Sequence, residues 1–155
     1  MRYLILHNVR SVHNVGSMFR TADAIGVTKI YLTGYTPAPT DRFGRDRKDF
    51  SKVSLGAEQS VSWEARKTLK VLLQELRERG IKIIAVEQSE RSVDYKKIKI
   101  STPTALIVGN EVGGIPQNIL TLCDSIAEIP MRGHKESLNV SVAAGIILFR
   151  LFDKP

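Results

Sequence analysis

Residues Tyr3 to Leu32 read YLILHNVRSVHNVGSMFRTADAIGVTKIYL. Tyr3-Leu4-Ile5-Leu6 is a short apolar run of the length and composition of a buried strand. His7 to His13 is polar. Asn14 is a good N-cap residue, and behind it Val15, Met18, Phe19, Ala22 and Ile25 recur at the spacing of one helix face. Gly26 is placed to end that helix, and Val27 to Leu32 is a second strand. A strand, a helix and a strand of this length form a right-handed crossover between parallel strands. The expectation for the whole chain is therefore α/β, a mostly parallel sheet flanked by helices.

Working outward, the alternation continues. Gly34 to Phe50 is irregular, with Pro37, Pro39, Gly44 and the charges Asp41-Arg42 and Arg45-Asp46-Arg47-Lys48-Asp49. A loop of this length either grips phosphates with its basic residues or is a solvated surface segment. Ser51 to Ser60 holds a short helix, and Val61 and Trp63 a brief strand. Glu64 to Arg79 reads as an amphipathic helix with Leu69, Leu72, Leu73 and Leu76 on one face. Gly80 ends it, and Ile81 to Val86 is the next strand. Ser89 to Lys99 is polar and basic. Thr104 to Val108 is a strongly apolar strand, followed by the loop Gly109 to Gly114 and a helix with Pro116 in its first turn. Ile126 to Ile129 returns as a strand. Val142 to Phe149 is apolar nearly all round, which predicts a helix packed on several sides.

The hydrophobic share of 43% and charged share of 25% fit one ordinary globular domain. The longest apolar run, Val142 to Phe149, is far short of the roughly 20 residues of a membrane span. The opening MRYLILHNVR has too short an apolar stretch for a secretory signal. That and a lone Cys123 point to the cytoplasm. His7, His13, His134 and Cys123 show no metal-ligand spacing, so no metal site is expected. The net charge of +7 favours a polyanionic partner, nucleic acid above all.

In open α/β sheets, ligands bind beyond the carboxyl ends of strands. Three such loops carry unusual residues: Asn8 to Asn14 leading to Arg20, Gly109 to Gly114, and Met131 to Asn139. The second loop, Gly-Asn-Glu-Val-Gly-Gly, is neither a P-loop nor a dinucleotide fingerprint. Glu111 would repel a phosphate and suits a cationic or hydroxyl-bearing ligand; alternatively, the glycines serve only the turn's dihedrals. Asn139 and Ser141 stand at the start of an apolar helix, where each would cost about 1–3 kcal/mol if left unpaired. They bond either their own backbone or a ligand, with Ser137 as a candidate cap. Arg20 follows Phe19 at the edge of the buried face. It is either a cation aimed at a phosphate or an ordinary solvated helix arginine.

Together the three stretches resemble the SpoU (TrmH-type) branch of the SPOUT RNA methyltransferases. The first motif matches Asn8-Val9-Arg10, His13-Asn14-Val15-Gly16 and Phe19-Arg20-Thr21-Ala22. The second matches Leu106 to Ile115, and the third matches Ile129-Pro130-Met131 through Ser137-Leu138-Asn139-Val140-Ser141-Val142-Ala143. The resemblance implies a C-terminal deep trefoil knot, a homodimer, and methyl transfer from S-adenosylmethionine to a ribose 2′-hydroxyl of tRNA or rRNA. It makes Arg20 the catalytic arginine, as proton acceptor or phosphate clamp, with Asn14 supporting it. Glu111 is the acidic residue of the second motif, and Ser137 and Asn139 the polar pair of the third. The cofactor is expected against Val108, Gly109, Asn110, Glu111, Ile129, Met131, Ser137, Leu138 and Asn139. The chain reads as one catalytic domain, 1–155, without a separate N-terminal RNA-binding domain. Its own basic surface, Arg10, Arg42, Arg45, Arg47 and Lys48, or a partner must then choose the RNA. The alternatives are a non-catalytic RNA-binding relative and a small-ligand nucleotide-binding enzyme.

Overall fold

The computed structural model describes residues 1–153. The strands are β1 (Arg2–His7), β2 (Lys29–Thr33), β3 (Trp63–Arg66), β4 (Lys82–Val86), β5 (Val93–Asp94), β6 (Thr104–Val108) and β7 (Ser125–Glu128). Among the described residues they make one seven-stranded sheet in the order β3-β2-β1-β6-β4-β7-β5. Every pairing is parallel. The helices are α1 (Val12–Ile25), α2 (Lys48–Ser54), α3 (Ala57–Ser60), α4 (Leu69–Glu78), α5 (Gln117–Leu120) and α6 (Val140–Phe152).

Side chains of a strand alternate between faces, and the central strands are apolar on both because helices cover both. Leu4, Leu6, Leu106 and Val108 join the core beneath α1 and α6. Tyr3, Ile5, Ile83 and Ile107 join the core beneath α4 and α5. Phe19 of α1 and Phe50 of α2 meet edge to face, with ring centroids 5.2 Å apart, an arrangement that adds to area burial. From β1 the chain runs outward to β2 and β3, then returns to the other side of β1 through β4 and β6. The carboxyl ends beside that reversal are where such sheets bind ligands.

Several expectations need correction. The N-cap of α1 is Ser11, whose hydroxyl accepts from Asn14 N at 3.1 Å. Asn14 is inside the first turn, its amide engaged by other loops. Glu64 does not begin a helix: Trp63–Arg66 pairs with β2 at the sheet edge, and α4 starts only at Leu69. Two residues of the polar stretch 89–99 form the edge strand β5. Lys48 is helical rather than in the loop, and Pro116 is the N-cap of α5, just ahead of its first turn. Asn139, not Ser137, caps α6. That helix is not covered on all sides. Val142, Ile146 and Phe149 are 49%, 37% and 44% exposed.

Candidate active site

The carboxyl ends of β4, β6 and β7 open into a cleft of about 580 Å³, a volume in the range of small-molecule sites. One wall is the glycine loop after β6. Asn110 N donates to Gly114 O and Gly114 N donates back to Asn110 O, at 3.2 and 3.0 Å. Asn110 Oδ1 accepts from Val112 N and Gly113 N at 2.9 and 2.7 Å. Its Nδ2 donates to Asn8 O and to the Tyr35 hydroxyl, both at 3.0 Å. Gly114 has a φ of 63°, and a Cβ there would stand 2.2 Å from Glu87 Oε2. A Cβ on Gly109 would stand 2.7 Å from the Gly114 carbonyl. Only glycine permits this close approach. Glu87 Oε2 accepts from Ile115 N at 3.0 Å and so ties the loop to the end of β4.

Glu111 joins this wall to the loop after β1. Its Oε2 accepts from Arg10 N at 3.1 Å, and its Oε1 from Ser11 N and Asn14 Nδ2 at 3.2 and 3.3 Å. Partial burial pushes the carboxyl's pKa up, but these donors and its own backbone N–H outweigh it. The net position is below the ordinary carboxylate value. Asn14 is 8% exposed. Its Oδ1 accepts from Asn139 Nδ2 at 3.2 Å, which brings in the third loop. Asn139 Oδ1 in turn accepts from Ser141 N and Oγ at 2.9 and 2.6 Å. The polar pair at the start of α6 is thus satisfied within the protein. The carboxylate that sequence reading aimed at a ligand is held by three donors of the chain itself.

Val108, Gly109, Asn110, Glu111, Ile129, Met131, Ser137, Leu138 and Asn139 all line the cleft. Asn14 stands behind them. Arg20 does not line it. It is exposed on α1, six residues from Asn14 and about 9 Å along the helix axis. It therefore lies away from the strand ends. The next residue, Thr21, has its Cγ2 3.7 Å from the position of a Cβ on Gly145. Arg10 is exposed, at the rim. Within the segment after β2, Arg45 pairs with Asp41 at 2.8 Å and Arg47 with Asp49 at 2.7 Å. Arg42 and Lys48 have no ion pair among the described residues.

Sequence reading missed Glu87 and Gln88, which line the cleft at the end of β4. Gln88 Nε2 donates to Glu136 O at 2.7 Å and so spans the opening. The signal was available: both follow a strand read correctly, where ligands of such sheets bind.

A sequence profile described as the SpoU rRNA Methylase family matches residues 1–149. The chain is 37% identical over 142 residues to the tRNA (guanosine(18)-2′-O)-methyltransferase of Aquifex aeolicus, covering 92% of this chain and 64% of that one. It is 33% identical over 144 residues to the Escherichia coli protein of the same name, covering 93% and 59%. The AdoMet-bound rRNA methyltransferase structure from Sinorhizobium meliloti superposes with a TM-score of 0.87 at 31% identity, covering 96% of this chain and 54% of that one. The chain spans less than two thirds of the length of each of these relatives.

Proposed function

The chain belongs to the SpoU rRNA Methylase family, and we propose that it transfers a methyl group from S-adenosylmethionine to a ribose 2′-hydroxyl of tRNA or rRNA. The observation that carries this reading is the line Glu111–Asn14–Asn139, which binds three separate loops together beside one cleft. Relatives named as tRNA 2′-O-methyltransferases and an AdoMet-bound structure support it.

The residues present fit the cofactor. Val108, Ile129, Met131 and Leu138 offer apolar surface to an adenine, and Gly109 and Gly114 line the cleft without side chains. Bound S-adenosylmethionine supplies an electrophilic methyl sulfonium, which needs alignment more than activation. The chain's part is to hold and orient. Glu111, Asn14 and Asn139 keep the loops in register, and Ser137 offers a hydroxyl at the cleft wall. A guanidinium stays protonated in proteins, so Arg20 acts as a clamp on the phosphate beside the acceptor and stabilises charge as the oxygen attacks. Arg10, Arg42, Arg45, Arg47 and Lys48 form the RNA-binding face, led by the unpaired Arg42 and Lys48.

The working unit of this reading is a homodimer. Val142, Ile146 and Phe149 recur on one face of α6 and lie open to solvent, an apolar stripe suited to a two-fold contact. Thr21 of α1 touches α6 at Gly145, next to that stripe, and in this reading the preceding residue, Arg20, completes the cleft of the second copy. The trefoil knot that the resemblance to the family implies is part of the proposal. So is a cytoplasmic setting, supported by the buried free Cys123. Among the described residues no helix is long and apolar enough to cross a membrane.

The test is incubation with methyl-labelled cofactor and total tRNA or rRNA, followed by mapping of 2′-O-methyl positions. Transfer to ribose is expected; label on a base or no transfer refutes the proposal. Arg20→Ala should lower turnover by at least about 100-fold while calorimetric cofactor binding persists. Unchanged methylation would remove Arg20 from its role.

A further inference from the structure

Residues 40–46 form a small hairpin beyond the carboxyl end of β2. Thr40 and Asp46 pair across it. Asp41 N donates to Arg45 O at 2.8 Å, and Gly44 N donates to Asp41 O at 3.0 Å. Gly44 has a φ of 78°, the left-handed position that closes such a turn. The Asp41 carboxylate braces the tip from inside. Its Oδ1 accepts from Phe43 N and Arg45 N at 2.8 and 3.0 Å, and its Oδ2 from Arg45 Nε at 2.8 Å. The base is fixed by Arg47 N donating to Pro39 O at 2.9 Å.

This braced turn holds Phe43 out to solvent, 66% exposed. The Arg42 and Arg45 guanidinium carbons lie 4.7 and 5.1 Å from its ring centroid. A solvated loop needs neither a rigid tip nor an aromatic ring flanked by two cations. Tyr35 is also exposed, and its hydroxyl is bonded to Asn110 on the cleft wall. Tyr35 thus puts an exposed aromatic ring at the cleft wall, on the same segment after β2 that carries Phe43.

We propose that Phe43 is a stacking platform for an unpaired base of the RNA substrate, with Arg42 and Arg45 serving the flanking phosphates. The inference rests on the reading of the chain as an RNA methyltransferase. It narrows the substrate to RNA with a single-stranded or looped segment beside the acceptor. Every base has a π-face that an exposed ring can cover once a guanidinium now lying over the Phe43 ring swings out to a backbone phosphate. Paired bases in a continuous duplex keep those faces stacked on one another. A second copy of this chain is a poor occupant, because its net charge of +7 meets two arginines.

The experiment is fluorescence anisotropy with a labelled oligoadenylate of about twelve nucleotides and a duplex RNA of the same length. Phe43→Ala should lose about tenfold in affinity for oligoadenylate, with duplex binding and the salt slope unmoved. Phe43→Trp should restore the affinity. Arg42→Ala should instead reduce the slope of log affinity against log salt by roughly 0.7. Oligoadenylate binding that Phe43→Ala leaves intact overturns the inference, as does an equal loss for duplex. So does Phe43→Ala splitting a dimer in sedimentation while RNA affinity holds. A parallel calorimetric titration of the wild-type chain with S-adenosylmethionine keeps the two readings apart. Absence of cofactor heat overturns the methyltransferase reading; heat with RNA binding indifferent to Phe43 overturns this inference alone.

Discussion

Two walls of one cleft are held in different ways. In the wall after β6, residues 109–115, the Asn110 side chain makes four hydrogen bonds, Glu111 takes three donors and Glu87 secures Ile115. The wall after β7, residues 131–138, is exposed along nearly its whole length. Among the described residues its one hydrogen bond is from Gln88 Nε2 to Glu136 O. A segment with few buried contacts and few internal bonds opens at low free energy. The first wall therefore sets the shape of the site, and the second is the one free to move as a ligand enters.

The comparison breaks most directly with a pair of substitutions. Asn110→Ala should lower the unfolding free energy by about 2–4 kcal/mol, measured by urea denaturation. Lys135→Ala should stay within about 0.5 kcal/mol of wild type. Equal losses would erase the distinction. Glu111→Gln sharpens it through pH. The folded carboxyl sits below its ordinary value, so the unfolded chain takes up the proton first on acidification. The stability from this group is present above the unfolded value of about 4.3 and is lost as pH falls through the lower folded value. Wild type should exceed Glu111→Gln at neutral pH, and the gap should close in acid. A gap independent of pH would mean that the charge is idle. The smallest effect is in hydrogen exchange. Amides of 110–115 should exchange more slowly than those of 132–138 by about tenfold or more, and S-adenosylmethionine should slow the second set further. Protection confined to the first set would reverse the roles of the walls.

The central strands were legible because burial on both faces leaves runs such as Leu106-Ile107-Val108. β5 was not, and the brief strand read at Val61 and Trp63 stopped short of β3's true end at Arg66, since short, half-buried edge strands carry polar residues such as Glu64 and Asp94. Ser11 and Asn14 are both good caps, and the choice turned on Glu111, far along the chain. Glu87 and Gln88 could have been placed at the site from their position after β4, but their partners, Ile115 and Glu136, could not be read from residue order. The motifs of the three loops could be read from residue order, and their mutual contacts could not. Arg20 was legible as a motif residue. That it stands exposed on α1, away from its own cleft, depends on helix phase and tertiary packing.

The pairing of β1 with β6 joins Leu4 to Leu106 and Leu6 to Val108. A ribosome making this chain releases β1, α1 and β2 long before β6 exists. Until then one edge of β1 has no hydrogen-bonding neighbour and presents Leu4, Ile5 and Leu6, a hazard for association between nascent chains. Long-range parallel pairing of this kind is also slow to form. The cleft, which needs β4, β6 and β7 together, is among the last things this polypeptide acquires.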